Sequence, residues 1–269
     1  MDIARKPMDF RAHRPWPLPP RPWIMAQRWR DLLFAHWPVD PERLRPRIPE
    51  GLTLDCHEDA AWVSITPFRL EGLRPRGFPA LPWISSFPEL NFRTYVTRAR
   101  KPGVFFFSLD AARTAAVMGA RAAFHLPYFL AAMHVTTASN GAIDYRSRRT
   151  RSERPAEFQA LYRPVPQLSP LPAEPGSLDH WLTERYCLYA VDRVGRLYRT
   201  EVHHAPWALQ PVEVKILWNT ISTAAGIELP PKPALTAYSR YLDVVVWWPR
   251  RLAVGGERRV GRLPRNATD

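Results

Sequence analysis

The chain has 269 residues, of which 46% are hydrophobic, and a formal net charge of +13. This hydrophobic content supports one large domain with a substantial core and excludes an intrinsically disordered chain. Two cysteines, Cys56 and Cys187, are too few for a disulfide framework, so we expect a reduced, cytoplasmic protein. No apolar run is long enough to span a bilayer, and the first residues lack the apolar stretch of a secretory signal, so no membrane partner is expected.

The positive charge is concentrated in three segments. Residues 1–30 contribute +5, and residues 146–154 and 250–269 contribute +4 each, so the remaining residues are formally neutral together. Basic tails attract polyanions at long range, which makes polyanion binding through the termini one hypothesis. No interleaved basic and aromatic face and no nucleic-acid-reading motif accompany these charges. The distribution favours a solubilising role and no specific nucleic-acid partner.

Three regions follow from the composition. Residues 1–25 contain six prolines and scattered arginines, which predict an extended N-terminal arm. Residues 26–249 carry the regular elements of a single domain. Residues 250–269 form a basic C-terminal tail.

Within the domain, apolar runs and alternating patterns predict twelve strand segments and a few short helices. The predicted strands are residues 29–37, 52–54, 61–68, 87–96, 104–107, 129–135, 142–146, 157–162, 185–191, 197–203, 211–218 and 241–248. Predicted helices begin after the N-caps Asp40, Asp110 and Ser177, and another ends at Gly226. This content predicts an α+β fold, a mostly antiparallel barrel with a few short helices.

The strand at residues 87–96 is the most informative. Alternation places Glu89, Asn91, Arg93 and Tyr95 on one face. Such a face is either a solvated sheet surface or the lining of a barrel lumen, because both alternate in the same way. In the first case these are ordinary surface groups. In the second, Glu89 is a candidate base, and Asn91 and Arg93 are candidate ligand contacts.

A second candidate position follows the Ala-rich segment 111–124. Pro127 forbids helical continuation and forces a turn that ends at Tyr128. The Tyr128 phenol is either a hydrogen-bond donor or weak acid in a cavity, or a buried aromatic with a satisfied hydroxyl.

Several fragments, in order, resemble the YqjF-like family, a bacterial family of unknown function. They are HWPVDPERLRPRIPEGLTLD, FPELNFRTYV, KPGVFFFSLDA, HLPY, LTERYCLY, HHAPWALQ and VVVWWP, between residues 29 and 249. That family is distantly similar to acetoacetate decarboxylase. The resemblance implies a cone-shaped antiparallel barrel with flanking helices and a buried central cavity.

The resemblance also implies candidate site residues. The Schiff-base lysine of the decarboxylase falls on Tyr128, and the second lysine falls on Phe129. A phenol cannot form an imine with a ketone, so that mechanism is absent from this position. The cavity glutamate of the decarboxylase falls on Glu89. Its carboxylate-binding arginine falls on Arg30, with Arg28 as the alternative.

Two further possibilities complete the sequence-based hypotheses. Lys215 is either a relocated amine or half of a solvent-facing pair with Glu213. His203 and His204 are adjacent on a strand and point to opposite faces, so no metal site is predicted.

The resulting hypothesis is a cofactor-free cavity that binds a small, anionic organic molecule such as a keto acid. Glu89 and Tyr128 would catalyse lyase or proton-transfer chemistry without an imine. The alternative is a non-catalytic ligand-binding or scaffold protein. Whether the chain forms a homo-oligomer is left open.

Overall fold

The computed structural model describes residues 5–81, 84–150 and 152–253. Most of the predicted C-terminal tail therefore lies outside the described residues. The strands are β1 Met25–Val39, β2 Thr53–Leu54, β3 Cys56–His57, β4 Ala60–Pro75, β5 Phe87–Arg98, β6 Lys101–Ala111, β7 Tyr128–Thr137, β8 Ile143–Arg149, β9 Glu157–Pro164, β10 Leu171–Pro172, β11 Cys187–Val191, β12 Leu197–His204, β13 Ala208–Leu209, β14 Val212–Asn219, β15 Leu235–Val246 and β16 Arg250–Arg251. The helices are α1 Arg5–Asp9, α2 Pro41–Leu44, α3 Thr114–Phe124, α4 Leu178–Thr183 and α5 Ile221–Ala224, with a 3-10 turn at Arg45–Arg47.

Seven strands pair in a closed ring. The order β6-β11-β12-β15-β1-β4-β5 returns to β6, because β6 also pairs with β5. The long pairings β1–β15, β1–β4, β4–β5 and β5–β6 are antiparallel, and β6–β11 is parallel. The predicted α+β fold, dominated by antiparallel strands with few helices, is confirmed.

Strand β6 divides its second edge between two partners. Val104 and Phe105 pair with β11, whereas residues 109–111 pair in parallel with the start of β7. From β7 the sheet continues through β8, β9 and β14 and leaves the ring. This extension packs on the outer face of the ring, where Ile65 and Phe92 share a core cluster with Tyr145 and Phe158.

The N-terminal arm is bound to the domain. The Arg14 side chain donates to the backbone oxygen of Val202 at 2.6 Å and forms a 2.5 Å ion pair with Glu201. The Trp16 indole donates to the same carboxylate at 2.8 Å. Part of the N-terminal positive charge is therefore neutralised inside the protein. In the described residues, no helix is long and apolar enough to cross a bilayer.

Two local predictions around the central segment were wrong. Asp110 does not cap a helix, because β6 continues through Ala111, and α3 begins at Thr114. The Asp110 carboxylate is instead buried and accepts hydrogen bonds from Arg149 Nε at 2.9 and 3.0 Å. Tyr128 is not in a turn either, since it is the first residue of β7. The helix caps at Asp40 and Ser177 are confirmed.

Candidate functional site

The ring of strands surrounds a cavity of about 600 Å³. Most of its lining is aromatic or aliphatic, including Trp29, Phe68, Phe87, Phe106 and Trp207. A smaller polar set comprises Gln27, Thr66, Ser85, Glu89, Asn91, Arg93, Tyr128, Thr183, Arg185 and His204. A mostly apolar cavity with a few convergent polar groups is the usual form of a small-molecule site.

The cavity has an open end and a closed end. Phe78 and Leu81, in the segment after β4, line it and are 67% and 55% exposed, so they mark the open end. Arg93 lies at the other end. Its neighbours Phe34 and Tyr95 are buried in the protein, so this end is closed.

Strand β5 connects the two ends. Phe87, Glu89, Asn91 and Arg93 all line the cavity because alternate side chains of a strand share a face. The face predicted from the sequence therefore points into the ring and not into solvent.

Glu89 and Tyr128 meet in the lining of this cavity. The Tyr128 hydroxyl donates to Oε2 of Glu89 at 3.0 Å, and Glu89 is 4% exposed. The position of Tyr128 is fixed from outside, because Arg121 of α3 donates from Nε to the Tyr128 backbone oxygen at 2.6 Å. The hydroxyl of Tyr145 donates at 2.7 Å to the backbone oxygen of Glu89 and fixes the strand from the other side.

Burial controls the ionisation of this pair. Desolvation raises the pKa of Glu89 to about 7, although hydrogen bonds from Tyr128 and Asn91 favour the carboxylate and partly oppose the shift. Desolvation also raises the pKa of Tyr128 well above its usual value, and the nearby Glu89 charge adds to the effect. At neutral pH the Glu89 carboxyl is therefore close to half-ionised, while the phenol keeps its proton.

Two arginines contribute N–H groups at the closed end. Nε and Nη2 of Arg93 are buried and have no hydrogen-bond partner. Arg185 is 7% exposed, and its Nη2 is likewise without a partner. Sequence reasoning missed Arg185, although a charged residue at the edge of the apolar stretch RYCLYAV was a signal for it.

The structure corrects the placement of Arg30 and of its alternative, Arg28. Arg28 forms a bidentate pair with Asp243 at 2.6 and 2.9 Å. The Arg30 side chain is 43% exposed and lies 3.5 Å from Glu71. Neither arginine lines the cavity. The side chains of β1 alternate, and Gln27 and Trp29 are the ones that point inward.

The Lys215 hypothesis is corrected in the same way. Lys215 is exposed on β14, at the edge of the extension and outside the ring. The lysines whose side chains are described are Lys101, Lys215 and Lys232, and none of them lines the cavity. The two adjacent histidines do point to opposite sides: His204 lines the cavity, and His203 bonds to the arm at Pro7 O over 2.9 Å.

Residues 26–243 match the DUF2071 family, described as an uncharacterized conserved protein. The chain is also 50% identical over 226 residues to the uncharacterized protein YqjF of Bacillus subtilis strain 168, which covers 84% of this chain and 91% of that protein. The chain belongs to the DUF2071 family. The predicted relationship to YqjF-like proteins is thereby confirmed.

Solved structures place the DUF2071 chain in the acetoacetate decarboxylase-like fold. Acetoacetate decarboxylase from Legionella pneumophila is 15% identical with a TM-score of 0.58, over 93% of this chain and 96% of that chain. The enduracididine biosynthesis enzyme MppR complexed with pyruvate is 15% identical with a TM-score of 0.58, over 88% and 92%. An acetoacetate decarboxylase-like enzyme from Sphingomonas wittichii RW1 is 12% identical with a TM-score of 0.58, over 88% and 98%. At these identities the likeness shows the fold alone.

Proposed function

We propose that this DUF2071 protein binds a small organic acid in its cavity and that Glu89 and Tyr128 catalyse proton transfer on it without an imine. The observation that carries this proposal is the 3.0 Å hydrogen bond from the Tyr128 hydroxyl to Glu89 inside the cavity. Small acids in this fold have a precedent, since MppR is described in complexes with pyruvate and with a condensation product of pyruvate.

The chemistry follows from the ionisation of the pair. A carboxyl with a pKa of about 7 can both accept and return a proton at neutral pH. The Glu89 carboxylate removes a proton from a carbon next to a carbonyl group, and the C–H electron pair moves to the carbonyl oxygen. Once Glu89 is protonated it accepts less strongly, so the Tyr128 hydroxyl is released to donate to the resulting enolate oxygen. Return of the proton to carbon completes the exchange.

The same geometry supports a route without an amine. Tyr128 occupies the position that the family resemblance assigns to the Schiff-base lysine. The lysines with described side chains all lie outside the cavity. Proton transfer by a carboxyl and a phenol requires no imine, and it uses only groups that line the cavity.

Deuterium exchange tests the proposal. The protein is incubated in D₂O with pyruvate or 7-oxooctanoate, and loss of the protons next to the ketone is followed by ¹H NMR against a protein-free sample. We expect protein-dependent exchange with at least one probe, reduced ~10²- to 10⁴-fold in Glu89→Gln. Tyr128→Phe should also slow exchange, and Glu71→Gln, which changes an acid outside the cavity, should not.

Three outcomes contradict parts of this proposal. Exchange that survives in Glu89→Gln excludes Glu89 as the base. Binding of both probes without exchange indicates the non-catalytic ligand-binding protein. A lysine adduct found by mass spectrometry after treatment with 7-oxooctanoate and borohydride shows that an imine does form.

A further inference from the structure

The closed end of the cavity has an excess of hydrogen-bond donors. Arg93 has two buried nitrogens without a partner, Nε and Nη2, and Arg185 has one, Nη2. Leaving such groups unpaired costs free energy, because they have lost water without gaining an acceptor. A ligand that supplies acceptors at this end would recover that cost.

The two guanidinium groups lie beside the same aromatic ring. The Cζ atoms of Arg93 and Arg185 lie 5.9 and 5.0 Å from the centroid of the same Tyr95 ring. Arg185 is held in place, since its Nε donates to Trp181 O at 2.7 Å and its Nη1 donates to Asp55 at 2.5 Å. Its remaining nitrogen, Nη2, is the one without a partner. Arg185 therefore presents a fixed donor in the lining that it shares with Arg93.

We infer that this end is a carboxylate subsite, and that the ligand is a monocarboxylic acid with a long apolar body directed towards the open end. The inference rests on the proposed function for the statement that the ligand is a small organic acid. It adds the contacts of the acid group, the orientation of the ligand and its chemical class.

One negative charge fits this end. Asp55 neutralises Arg185, whereas Arg93 has no acidic partner within ion-pair distance among the described residues. A carboxylate presents two acceptor oxygens, which matches the forked donors of a guanidinium. Arg93 and Arg185 are the only lysine or arginine side chains in the described lining.

The apolar body follows from the rest of the lining. Between the closed end and the exposed Phe78 and Leu81, the walls are mainly aromatic and aliphatic. The volume of about 600 Å³ is within the ~300–1,000 Å³ typical of drug-sized ligands, and a three-carbon acid would leave most of it empty.

Glu89 and Arg93 are four residues apart on one strand, which is ~13 Å between their Cα atoms. A ligand that contacts both therefore extends over several carbons, with its acid group at Arg93 and its reacting carbon nearer to Glu89.

Calorimetric titration with three probes tests the subsite. Octanoate carries both the acid and the apolar body, 1-octanol carries only the body, and acetate carries only the acid. We expect octanoate to bind at least tenfold more tightly than either of the others. Arg93→Met should weaken octanoate binding by ~10- to 100-fold and leave 1-octanol binding within threefold, since it removes the donors and keeps the apolar bulk.

Folding controls accompany these variants. Because two buried nitrogens of Arg93 lack a partner, the melting temperature of unliganded Arg93→Met should equal or exceed that of the wild type. Arg185→Lys keeps a cation beside Asp55 but removes Nη2, the nitrogen that has no partner. It should therefore also weaken octanoate binding. Arg30→Met changes an arginine outside the cavity and should have no effect on octanoate.

The subsite is overturned if octanoate binds Arg93→Met as tightly as the wild type, or if 1-octanol loses as much affinity as octanoate. These failures are distinct from failure of the proposed chemistry. Arginine-dependent octanoate binding without deuterium exchange would keep the subsite and reject the catalysis. Exchange of 7-oxooctanoate that reaches half its maximal rate at the same probe concentration in Arg93→Met as in the wild type would keep the catalysis and reject the subsite.

Discussion

The hydroxyl of Tyr128 lies 3.0 Å from Oε2 of Glu89, although 39 residues separate them in the chain. Strand β6 creates this contact by pairing on both edges. Ala111 lies opposite Glu89 on β5 and opposite Leu130 on β7, two residues after Tyr128. Because side chains two apart on a strand share a face, Tyr128 is directed to the same side as Glu89.

Replacing Tyr128 by phenylalanine removes a donor that favours the charged form of Glu89. We expect the pKa of Glu89, already raised to about 7 by burial, to rise further in Tyr128→Phe. The measurement is a ¹³C NMR titration of labelled glutamate carboxyls.

Tyr145→Phe is the matched control for this titration. It also removes a hydroxyl that donates to Glu89, but the acceptor there is the backbone oxygen and not the carboxyl. The Glu89 titration should therefore move much less in this variant. Equal shifts in the two variants would contradict a direct effect of the Tyr128 hydrogen bond.

Glu89 makes the protein less stable as the pH rises towards 7. Its folded pKa of about 7 exceeds its ordinary value of 4.5, so between these values the folded state holds a proton that the unfolded state has released. The free energy of unfolding therefore falls as pH rises from 4.5 to 7, with a total loss on the order of 3 kcal/mol. Because His203 has the opposite pH dependence in every variant, the test is a difference between variants. In urea unfolding, the change in free energy from pH 5 to pH 8 should be less favourable in the wild type and in Glu71→Gln than in Glu89→Gln, by on the order of 3 kcal/mol.

His203 acts in the opposite pH direction. Burial is the main cause that lowers its pKa from 6.5 to about 4, so the unfolded state binds a proton in acid before the folded state does. The contribution of His203 to stability is lost as pH falls from 6.5 towards 4, by about 2 kcal/mol at pH 5. His203→Gln can retain the hydrogen bond to Pro7 O and should lose less stability between pH 7 and pH 5. The control is His134→Gln, which changes an exposed histidine. If His203→Gln loses as much stability between pH 7 and pH 5 as this control does, groups other than His203 cause the loss.

Gly103 allows β6 and β11 to approach closely. A Cβ atom at this position would lie 2.7 Å from both the backbone oxygen and the Sγ of Cys187. Gly103→Ala should therefore destabilise the protein by ~1–3 kcal/mol, measured by urea denaturation. A Cβ atom at Gly119, within α3, would have no neighbouring atom within 4 Å, so Gly119→Ala should instead stabilise the protein by about 1 kcal/mol. Similar changes in the free energy of unfolding at both positions would show that the space around the new Cβ atom does not control stability.

The sequence was sufficient to predict the strand content and the alternating face of β5, because both depend on local patterns. It did not determine whether Glu89 faces solvent or a lumen, since alternation is the same in both cases. That choice depends on closure of the ring, which requires pairs such as Met25 with Val246. Local patterns do not specify pairs so distant in the chain.

The errors have the same origin. Asp110 precedes an Ala-rich segment and has the local signal of an N-cap, but its partner Arg149 is 39 residues away. On β1, Asp31 has a positive φ of 52°, and the pairing register with β4 shifts between Arg30 and Ala35. The resemblance places Arg30 by counting residues back from Pro49 without gaps. Such a count passes through the irregularity without detecting it, so it could not determine which side of β1 Arg30 occupies.

The closure of the ring also has a consequence for synthesis of the protein. The cavity walls include Met25 from β1 and Val246 from β15, which are hydrogen-bonded neighbours. A nascent chain that has not yet released β15 from the ribosome lacks this wall. Ligand therefore cannot stabilise early folding intermediates, and strand pairing over such sequence distances makes ring closure a slow, late step.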